Sequence, residues 1–166
     1  MAIVLGVDPG WAKCGFAILE EKDGKFTLID SRVLSPKTLG LIGYSNHLKD
    51  LTYPYQEQIA SSGVERYVVY RGIKATHVEE ITMVVGATAV SLPKPLFLLR
   101  AVEWKNYLLH KLKLSTNEGK LDKVFSFQAA EAIVGKAPKT DHEADAIAIA
   151  YVSYQLSITQ LQLQLT

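Results

Sequence analysis

Four polar residues, far apart in the chain, have the types and settings of a metal-dependent hydrolytic site. Asp8 ends an apolar segment, Glu79 lies in a predicted strand, and His142 and Asp145 lie three residues apart at the start of an apolar stretch. Carboxylates brought together repel one another unless a cation lies between them. Hard oxygen ligands favour Mg²⁺ or Mn²⁺, and two such ions suit phosphodiester hydrolysis. His142 could orient water, move a proton or bind a metal.

The two strand residues each have a structural alternative. Asp8 follows a buried strand, and open α/β sheets place their sites at such carboxyl ends; the alternative is an aspartate that only starts the Pro9-Gly10 turn. Glu79 and Glu80 would point to opposite faces of a strand, so only one of them could reach Asp8. We expect Glu79 to be that residue. The alternative is a pair of surface glutamates.

The last acidic cluster separates into structural and chemical residues. Thr140 and Glu143 have the spacing of a helix capping box, and Asp141 suits the first helical turn. Asp145 has no such structural role, and a carboxylate in this apolar helix is costly unless it is paired or metal-bound. His142 lies on the same helical face, although a surface or capping histidine is the alternative.

The apolar patterns predict an α/β fold in which helices flank both faces of a mixed five-stranded sheet. The predicted strands are residues 3–8, 14–19, 26–34, 75–81 and 124–127, with a hairpin turn at Lys22-Asp23-Gly24. The predicted helices are residues 44–72, restarted at Pro54, then 95–112, 129–134 and a last helix from about Asp141. Residues 156–166 alternate with period two and suggest an extended tail or an edge strand.

Composition bounds the possible functions. The 166 residues, 48% of them hydrophobic, suit one domain spanning 1–166. A net charge of +1 means that any affinity for nucleic acid comes from a local patch. Cys14 is the only cysteine, which excludes a disulfide framework and a Cys-rich zinc site. The apolar N-terminal run is too short for a signal or membrane segment, so we expect an intracellular protein, cytoplasmic or nucleoid-associated, with organellar or viral origin left open.

The ordered motifs resemble those of RuvC-type Holliday junction resolvases, within the RNase H-like superfamily. The matching segments are Gly6-Val7-Asp8-Pro9-Gly10, Gly15-Phe16-Ala17-Ile18, Val78-Glu79-Glu80 and His142 to Ala150. The resemblance implies an RNase H-like fold and metal-dependent cleavage of four-way DNA junctions in recombination and repair. It also implies that Asp8, Glu79, His142 and Asp145 form the catalytic and metal-binding set.

The chain departs from the family pattern at two places. An aromatic residue that family members carry shortly after the catalytic glutamate is replaced by Ile81-Thr82-Met83, and the stretch between Gly135 and His142 is short. DNA contacts are therefore assigned to Lys136 and Lys139, and to Trp11, which could stack on an unpaired base or simply cover the sheet edge. A second basic cluster, equally consistent with ordinary surface, comprises Lys111, Lys113, Lys120 and Lys123.

The same sequence features are compatible with other functions, and they predict how the protein assembles. An RNase H-like nuclease acting on RNA or other branched duplexes has the same chemistry, and a non-catalytic nucleic acid binding module has the same fold. Actin-like ATP-binding proteins share the Asp-x-Gly turn but need two such domains. Paired cuts in a twofold-symmetric junction imply a homodimer. The predicted helix 95–112, apolar over much of its circumference, is the expected interface, with a helix buried in the monomer as the alternative.

Overall fold

The computed structural model describes residues 1–68, 74–114, 116 and 121–164. Within these ranges no helix is long and apolar enough to cross a membrane. Lys120 and the last two residues lie outside the described part of the chain. The strands are β1 (Ala2–Asp8), β2 (Cys14–Lys22), β3 (Lys25–Leu34), β4 (Ile59–Glu65) and β5 (Leu96–Leu99). The helices are α1 (Pro36–Thr52), α2 (Ala75–Ser91), α3 (Ala101–Lys111), α4 (Lys123–Val134) and α5 (Asp141–Gln164).

The five strands form one mixed sheet with the order β3-β2-β1-β4-β5. The first three strands are antiparallel, and β4 and β5 run parallel to β1. This arrangement confirms the predicted RNase H-like fold with a mixed five-stranded sheet. The predicted hairpin is also present, since Asp23 and Gly24 both have positive φ, at 54° and 78°, the backbone that a tight two-residue turn requires.

Alternate residues of the central strands separate two apolar cores. Ile3, Leu5 and Val7 of β1 pack with α1 and α2 on one face of the sheet. Val4 of β1 and Ala17 of β2 pack with α3, α4 and α5 on the other. Because successive side chains of a strand point to opposite faces, both faces of β1 are buried and the strand is almost wholly apolar.

Glycines let the backbone of α5 lie directly on three strands. A Cβ atom at Gly6 of β1 would meet the carbonyl oxygen of Ala146 at 1.9 Å, and one at Gly15 of β2 would meet that of His142 at 2.1 Å. A Cβ at Gly63 of β4 would meet the Ile149 carbonyl oxygen at 2.8 Å. Since a larger residue cannot occupy these positions without moving α5, the three glycines fix the height of the helix above the sheet.

The segment 44–72 is predicted to be helical, and this prediction is wrong from residue 53 to residue 68, whereas residues 69–72 lie outside the described part of the chain. The chain leaves α1 through a short 3₁₀ turn and enters the strand β4. Its Ser61, Ser62 and Gly63 lack the apolar character of a buried strand, but the hydroxyls are bonded: Ser61 to Ser153 at 3.1 Å and Ser62 to the Pro93 carbonyl at 2.8 Å. Small residues are needed here because α5 passes so close.

Four further predictions about secondary structure are wrong in whole or in part, and of the helix predicted over 95–112 the part from Ala101 to Lys111 is present. Residues 75–81 form the first turns of α2, and its buried Ile81, Val84, Thr88 and Ser91 follow helical spacing. The segment 95–112 is β5 followed by α3, and 124–127 belongs with 129–134 to the single helix α4. Residues 156–164 continue α5 as helix and do not form an extended tail.

Candidate active site

The strands β1 and β4 bring two carboxylates to the same edge of the sheet. Their parallel register pairs Gly6 with Gly63 and Val7 with Val64. The register therefore sets Asp8 beside Glu65, each the last residue of its strand. Neighbouring strands lie about 4.8 Å apart, and residues two apart share a face. Both carboxylates thus lie on the face that the glycines open to α5.

The first turn of α5 brings His142 to Asp8. The β2 residue paired with Asp8 is Gly15, and the backbone of His142 lies against it. His142 Nδ1 is 2.8 Å from Asp8 Oδ2, and both side chains are largely buried, with 30% and 15% exposed. The hydrogen bond to Asp8 raises the pKa of His142, because the carboxylate stabilises the imidazolium.

Asp145, one turn further along α5, has a buried carboxylate oxygen that is not hydrogen-bonded to any described residue. Its Oδ1 is buried and has no hydrogen-bond partner among the described residues. The Ser126 hydroxyl of α4 lies beside it but likewise forms no bond of ordinary geometry within that part of the chain. A buried acceptor without a hydrogen-bond partner is unfavourable, so a proton or a cation at this oxygen would stabilise the structure.

The electrostatics of the three acids are coupled. Burial raises the pKa of Glu65 to about 7, and the charges of Asp8 and Asp145 add to the rise. Burial and Asp8 raise the pKa of Asp145 to about 6 in the same way, and the Lys105 ammonium partly offsets both shifts. Near neutral pH the group thus holds carboxylates that favour either a proton or a cation.

Glu65 also has a neutral hydrogen-bond donor. The indole Nε1–H of Trp104, on α3, donates to Glu65 Oε2 at 2.8 Å. The Trp104 side chain is completely buried, and the Lys105 ammonium lies 5.0 Å from the centre of its ring. The helix that follows β5 therefore contacts the acid that ends β4.

The donor set fits a hard divalent cation. Asp8, Glu65 and Asp145 offer carboxylate oxygens, the ligands that Mg²⁺ and Mn²⁺ prefer, and Asp145 Oδ1 has no competing donor among the described residues. Within the same residues no group of three acidic, histidine or cysteine side chains is already arranged as a metal site.

Comparison with known proteins assigns the chain to a family. The family model described as crossover junction endodeoxyribonuclease RuvC matches residues 4–153. The chain belongs to the RuvC family. It is thus a crossover junction endodeoxyribonuclease, a hydrolase of the class that resolves Holliday junctions. Dependence on divalent metal is general in this family, in agreement with the donor set above.

Named relatives and solved structures agree with RuvC membership. The RuvC of Prochlorococcus marinus (strain NATL1A) is 27% identical over 161 residues, which cover 92% of this chain and 98% of the relative. The RuvC of Anaeromyxobacter sp. (strain K) is 30% identical over 155 residues, 89% of this chain and 78% of the relative. The structure of Thermus thermophilus RuvC in complex with Holliday junction substrate superposes with a TM-score of 0.71 over 96% of both chains, at 18% identity, and so shares the fold.

The structure brings together three of the four predicted residues of the RuvC-like site and leaves out the fourth. Asp8, His142 and Asp145 lie together, whereas Glu79 is exposed in the second turn of α2. The premise that placed Glu79 opposite Asp8 is wrong, because residues 75–81 are helical. Glu65 occupies the position expected for Glu79. A repeated pattern could have revealed it, since Gly63-Val64-Glu65 echoes Gly6-Val7-Asp8.

The acids assigned to structural roles behave as predicted. Glu143 is almost fully buried, its backbone N–H donates to Thr140 Oγ1 at 3.1 Å, and its carboxylate accepts from Ser31 and from the Lys139 backbone. Asp141 pairs with Lys123, which lowers the pKa of Asp141. These two side chains thus hold the start of α5 in place, while His142 and Asp145 are turned to the site.

The predicted DNA contacts lie around the RuvC site without entering it. Lys136 and Lys139 are exposed and line a polar groove together with Asp30 and Ser31 of β3. Trp11 is half-buried against the α1 side of the core. In the second basic cluster Lys111, Lys113 and Lys123 are exposed, and Lys123 reaches Asp141 at the start of α5.

Proposed function

We propose that Asp8, Glu65, His142 and Asp145 form the catalytic centre with which this nuclease hydrolyses phosphodiester bonds of four-way DNA junctions in recombination and repair. The observation that carries the proposal is the convergence of two strand ends and one helix start at a single edge of the sheet. Glu65 takes the role that the sequence assigned to Glu79. The protein would act wherever junction DNA is found, in the cytoplasm or nucleoid.

The carboxylates would hold the metal. Asp8, Glu65 and Asp145 supply oxygen ligands for Mg²⁺ or Mn²⁺, two ions per site as phosphodiester hydrolysis commonly requires. When bound, such ions stabilise charge on the phosphate and lower the pKa of the attacking water. The raised pKa values of Glu65 and Asp145, about 7 and 6, mean that a cation displaces protons there.

His142 would transfer protons as a general acid or base next to the carboxylates. Its Nδ1 is engaged by Asp8 Oδ2 at 2.8 Å, which fixes the ring and leaves Nε2 as the nitrogen that can exchange a proton with water or with the leaving oxygen. Asp8 stabilises the imidazolium, since the hydrogen bond raises the pKa of His142. The pair therefore resembles an acid–base dyad next to the metal ligands.

The DNA contacts surround this centre. Tyr67 lies two residues after Glu65, so the aromatic residue that seemed to be missing after Glu79 is present after Glu65; its ring packs edge-on to His77 at 6.5 Å. We assign the junction-stacking role to Tyr67. Lys136 and Lys139, exposed beside the start of α5, are assigned to backbone phosphates. Trp11 keeps its proposed stacking role at the turn after Asp8.

An assay of the purified protein on three substrates tests the proposed function. Synthetic four-way junctions, linear duplex of the same sequence and an RNA–DNA hybrid are incubated with Mg²⁺ or Mn²⁺. We expect paired cuts in the junction alone, and none in excess EDTA. Equal cutting of the hybrid would favour the alternative, an RNase H-like nuclease with broader substrates. Binding without cutting in either metal would favour a non-catalytic module.

We propose that the homodimer uses an interface other than the predicted segment 95–112. Within 95–112 the residues Leu99, Trp104 and Leu108 are buried in the monomer, so the apolar surface that suggested an interface is largely core. Apolar side chains are also exposed on the helices α1 and α2, and we take them together as one surface. They are Leu39, Ile42, Met83 and Val90, with Ile42 80% and Val90 79% exposed. We assign the twofold contact to this surface.

Light scattering with two matched charge substitutions separates the interfaces. Val90→Glu on α2 should convert a dimer to a monomer, because it places a charge in the contact. Val102→Glu, on the exposed side of α3, should leave the dimer intact. The opposite result would restore the segment 95–112 as the interface, and a wild-type protein that is monomeric while still making paired cuts would mean that the dimer forms only on DNA.

A further inference from the structure

The hydrogen bond between Trp104 and Glu65 has the geometry of a support for a metal ligand. The bond is 2.8 Å long and uses Glu65 Oε2 alone. Among the described residues Glu65 Oε1 accepts no hydrogen bond, so one oxygen of the carboxylate is held and the other is available. An indole N–H only donates and carries no charge. It can therefore orient the carboxylate without competing for a cation or neutralising the acid.

The fold holds the donor firmly in place. The β4–β5 register pairs Glu65 with Leu99, and the Arg66 N–H donates to the Leu99 carbonyl at 2.8 Å. The helix α3 starts two residues later and buries the Trp104 side chain completely, together with Leu108 one turn on. Because the ring is locked by core packing, the direction of its N–H is set by the fold and not by the site.

We propose that Trp104 is a positioning residue that aims the free oxygen of Glu65 at the metal. Supports of this kind typically contribute between tenfold and a hundredfold to metal affinity. This inference rests on the proposed role of Glu65 as a metal ligand. It adds a residue on a separate element, α3, to the machinery of the site, and it predicts that loss of the N–H weakens metal binding more than it weakens folding or DNA binding.

The bond itself can be observed without any activity. The chain has two tryptophans, so the metal-free protein gives two indole N–H signals in a ¹⁵N-correlated NMR spectrum, and Trp104→Phe assigns them. We expect the Trp104 signal far downfield, moving upfield in Glu65→Gln and shifting when Mg²⁺ is added. Glu79→Gln should leave it in place. A Trp104 signal that is insensitive to both Glu65→Gln and Mg²⁺ would overturn the proposal.

The contribution to metal binding is measured by titrating Mg²⁺ into each variant and following heat or NMR shifts. Trp104→Phe should weaken binding about tenfold, with junction affinity unchanged. Leu108→Val is the matched control: it trims the same fully buried helix face but removes no hydrogen bond, so metal affinity should stay at the wild-type value. Equal loss of Mg²⁺ affinity in both variants would show that Trp104 contributes only through core packing and would overturn the proposal.

Two safeguards keep the test decisive. If Trp104→Phe does not fold, Trp11→Phe assigns the remaining signal by elimination, and the response of that signal to Glu65→Gln and Mg²⁺ decides the question. If the wild-type protein fails to cut junctions in either metal, the proposed function fails, while an intact link between the Trp104 signal, Glu65 and Mg²⁺ still supports the positioning role.

Discussion

The two faces of the sheet bury different kinds of polar groups. On the α5 side the carboxyls of Glu65 and Asp145 are buried, which raises their pKa values to about 7 and 6, and Asp145 Oδ1 has no partner among the described residues. On the α1–α2 side the buried polar groups are neutral and bonded. Tyr44 OH lies 3.0 Å from Cys14 Sγ and 2.7 Å from Thr88 Oγ1.

The difference separates function from stability within one small protein. Buried acids that are only partly satisfied destabilise a fold, so the presence of Glu65 and Asp145 on the α5 side agrees with the proposal that a ligand completes the site. Hydroxyls that satisfy one another contribute modestly and favourably, so the other side only holds the helices α1 and α2 to the sheet. Substitutions on the two faces should therefore have opposite profiles of activity and stability.

The largest effect is expected from neutralising the buried acids. Glu65→Gln and Asp145→Asn should each reduce junction cleavage about a thousandfold or more, because they remove metal ligands. Both should keep or raise the melting temperature, because they remove a buried charge with few compensating contacts. Single-turnover cleavage and thermal unfolding of the same preparations measure the two quantities.

Glu79→Gln is the matched control for this prediction. Glu79 is exposed on α2, so its substitution should leave cleavage within about twofold of wild type and stability within about 0.5 kcal/mol. Loss of cleavage in Glu79→Gln with retention in Glu65→Gln would reinstate the acid chosen from the sequence. A strong loss of stability in Glu65→Gln would mean that this carboxylate is structural.

The comparison also explains which parts of the molecule were predictable. The strand β1 is apolar on both faces and ends in Asp8 before Pro9-Gly10, and the start of α5 carries the capping signal at Thr140; local patterns sufficed for both. The strand β4 could not be recognised from its own sequence because Ser61 and Gly63 lack apolar side chains. These residues are small because α5, at the other end of the chain, packs directly on them. No local propensity records such a contact.

The α2 error has the same origin. A short window such as residues 75–81, with Val78 and Ile81 among polar residues, fits strand and helix alike. The choice is decided further on, where the buried Val84 and Thr88 extend a helical stripe. Glu79 was chosen in that window because the resemblance required a glutamate after an apolar residue, and Val64-Glu65 satisfies the same requirement.

The next largest effect on stability and cleavage is expected from changing the distance between α5 and the sheet. Gly6→Ala should destabilise the protein by about 3 kcal/mol and lower cleavage, because its Cβ would meet the Ala146 backbone oxygen at 1.9 Å. Gly43→Ala, inside α1 with its nearest atom at 3.7 Å, should instead stabilise by about 0.5–1 kcal/mol with normal cleavage. Denaturant unfolding and the junction assay on both variants test this contrast, which fails if Gly6→Ala is tolerated.

A pH effect of intermediate size should come from the α5 side alone. The pKa values of Glu65 and Asp145 are raised on folding, so the folded state binds more protons than the unfolded state above the ordinary carboxyl range. The metal-free protein should therefore lose about 1–3 kcal/mol of unfolding free energy as pH rises from about 5 to about 8. Added Mg²⁺ should restore stability at the higher pH, because it binds the deprotonated acids.

Glu65→Gln serves as the control for this titration. Without the Glu65 carboxyl the pH dependence should flatten, leaving the parts due to Asp145 and to His142, whose pKa is also raised by folding. Thermal unfolding at several pH values, with and without metal, gives the curves. A metal-free wild type whose stability rises over this interval would contradict the raised pKa values and the account of the site that depends on them.

The smallest effect is expected on the α1–α2 side. Tyr44→Phe removes the hydroxyl that joins Cys14 to Thr88. Thr88 Oγ1 keeps its bond to the Val84 carbonyl at 2.7 Å, and the Cys14 thiol, a weak hydrogen-bonding group, keeps its 3.8 Å bond to the Gly15 carbonyl. We therefore expect a loss of about 1 kcal/mol in unfolding free energy. Cleavage and Mg²⁺ affinity should be unchanged, because the ring still fills the core. A tenfold fall in cleavage at unchanged stability would mean that this network reaches the active site through β2, and that the two faces of the sheet are not independent.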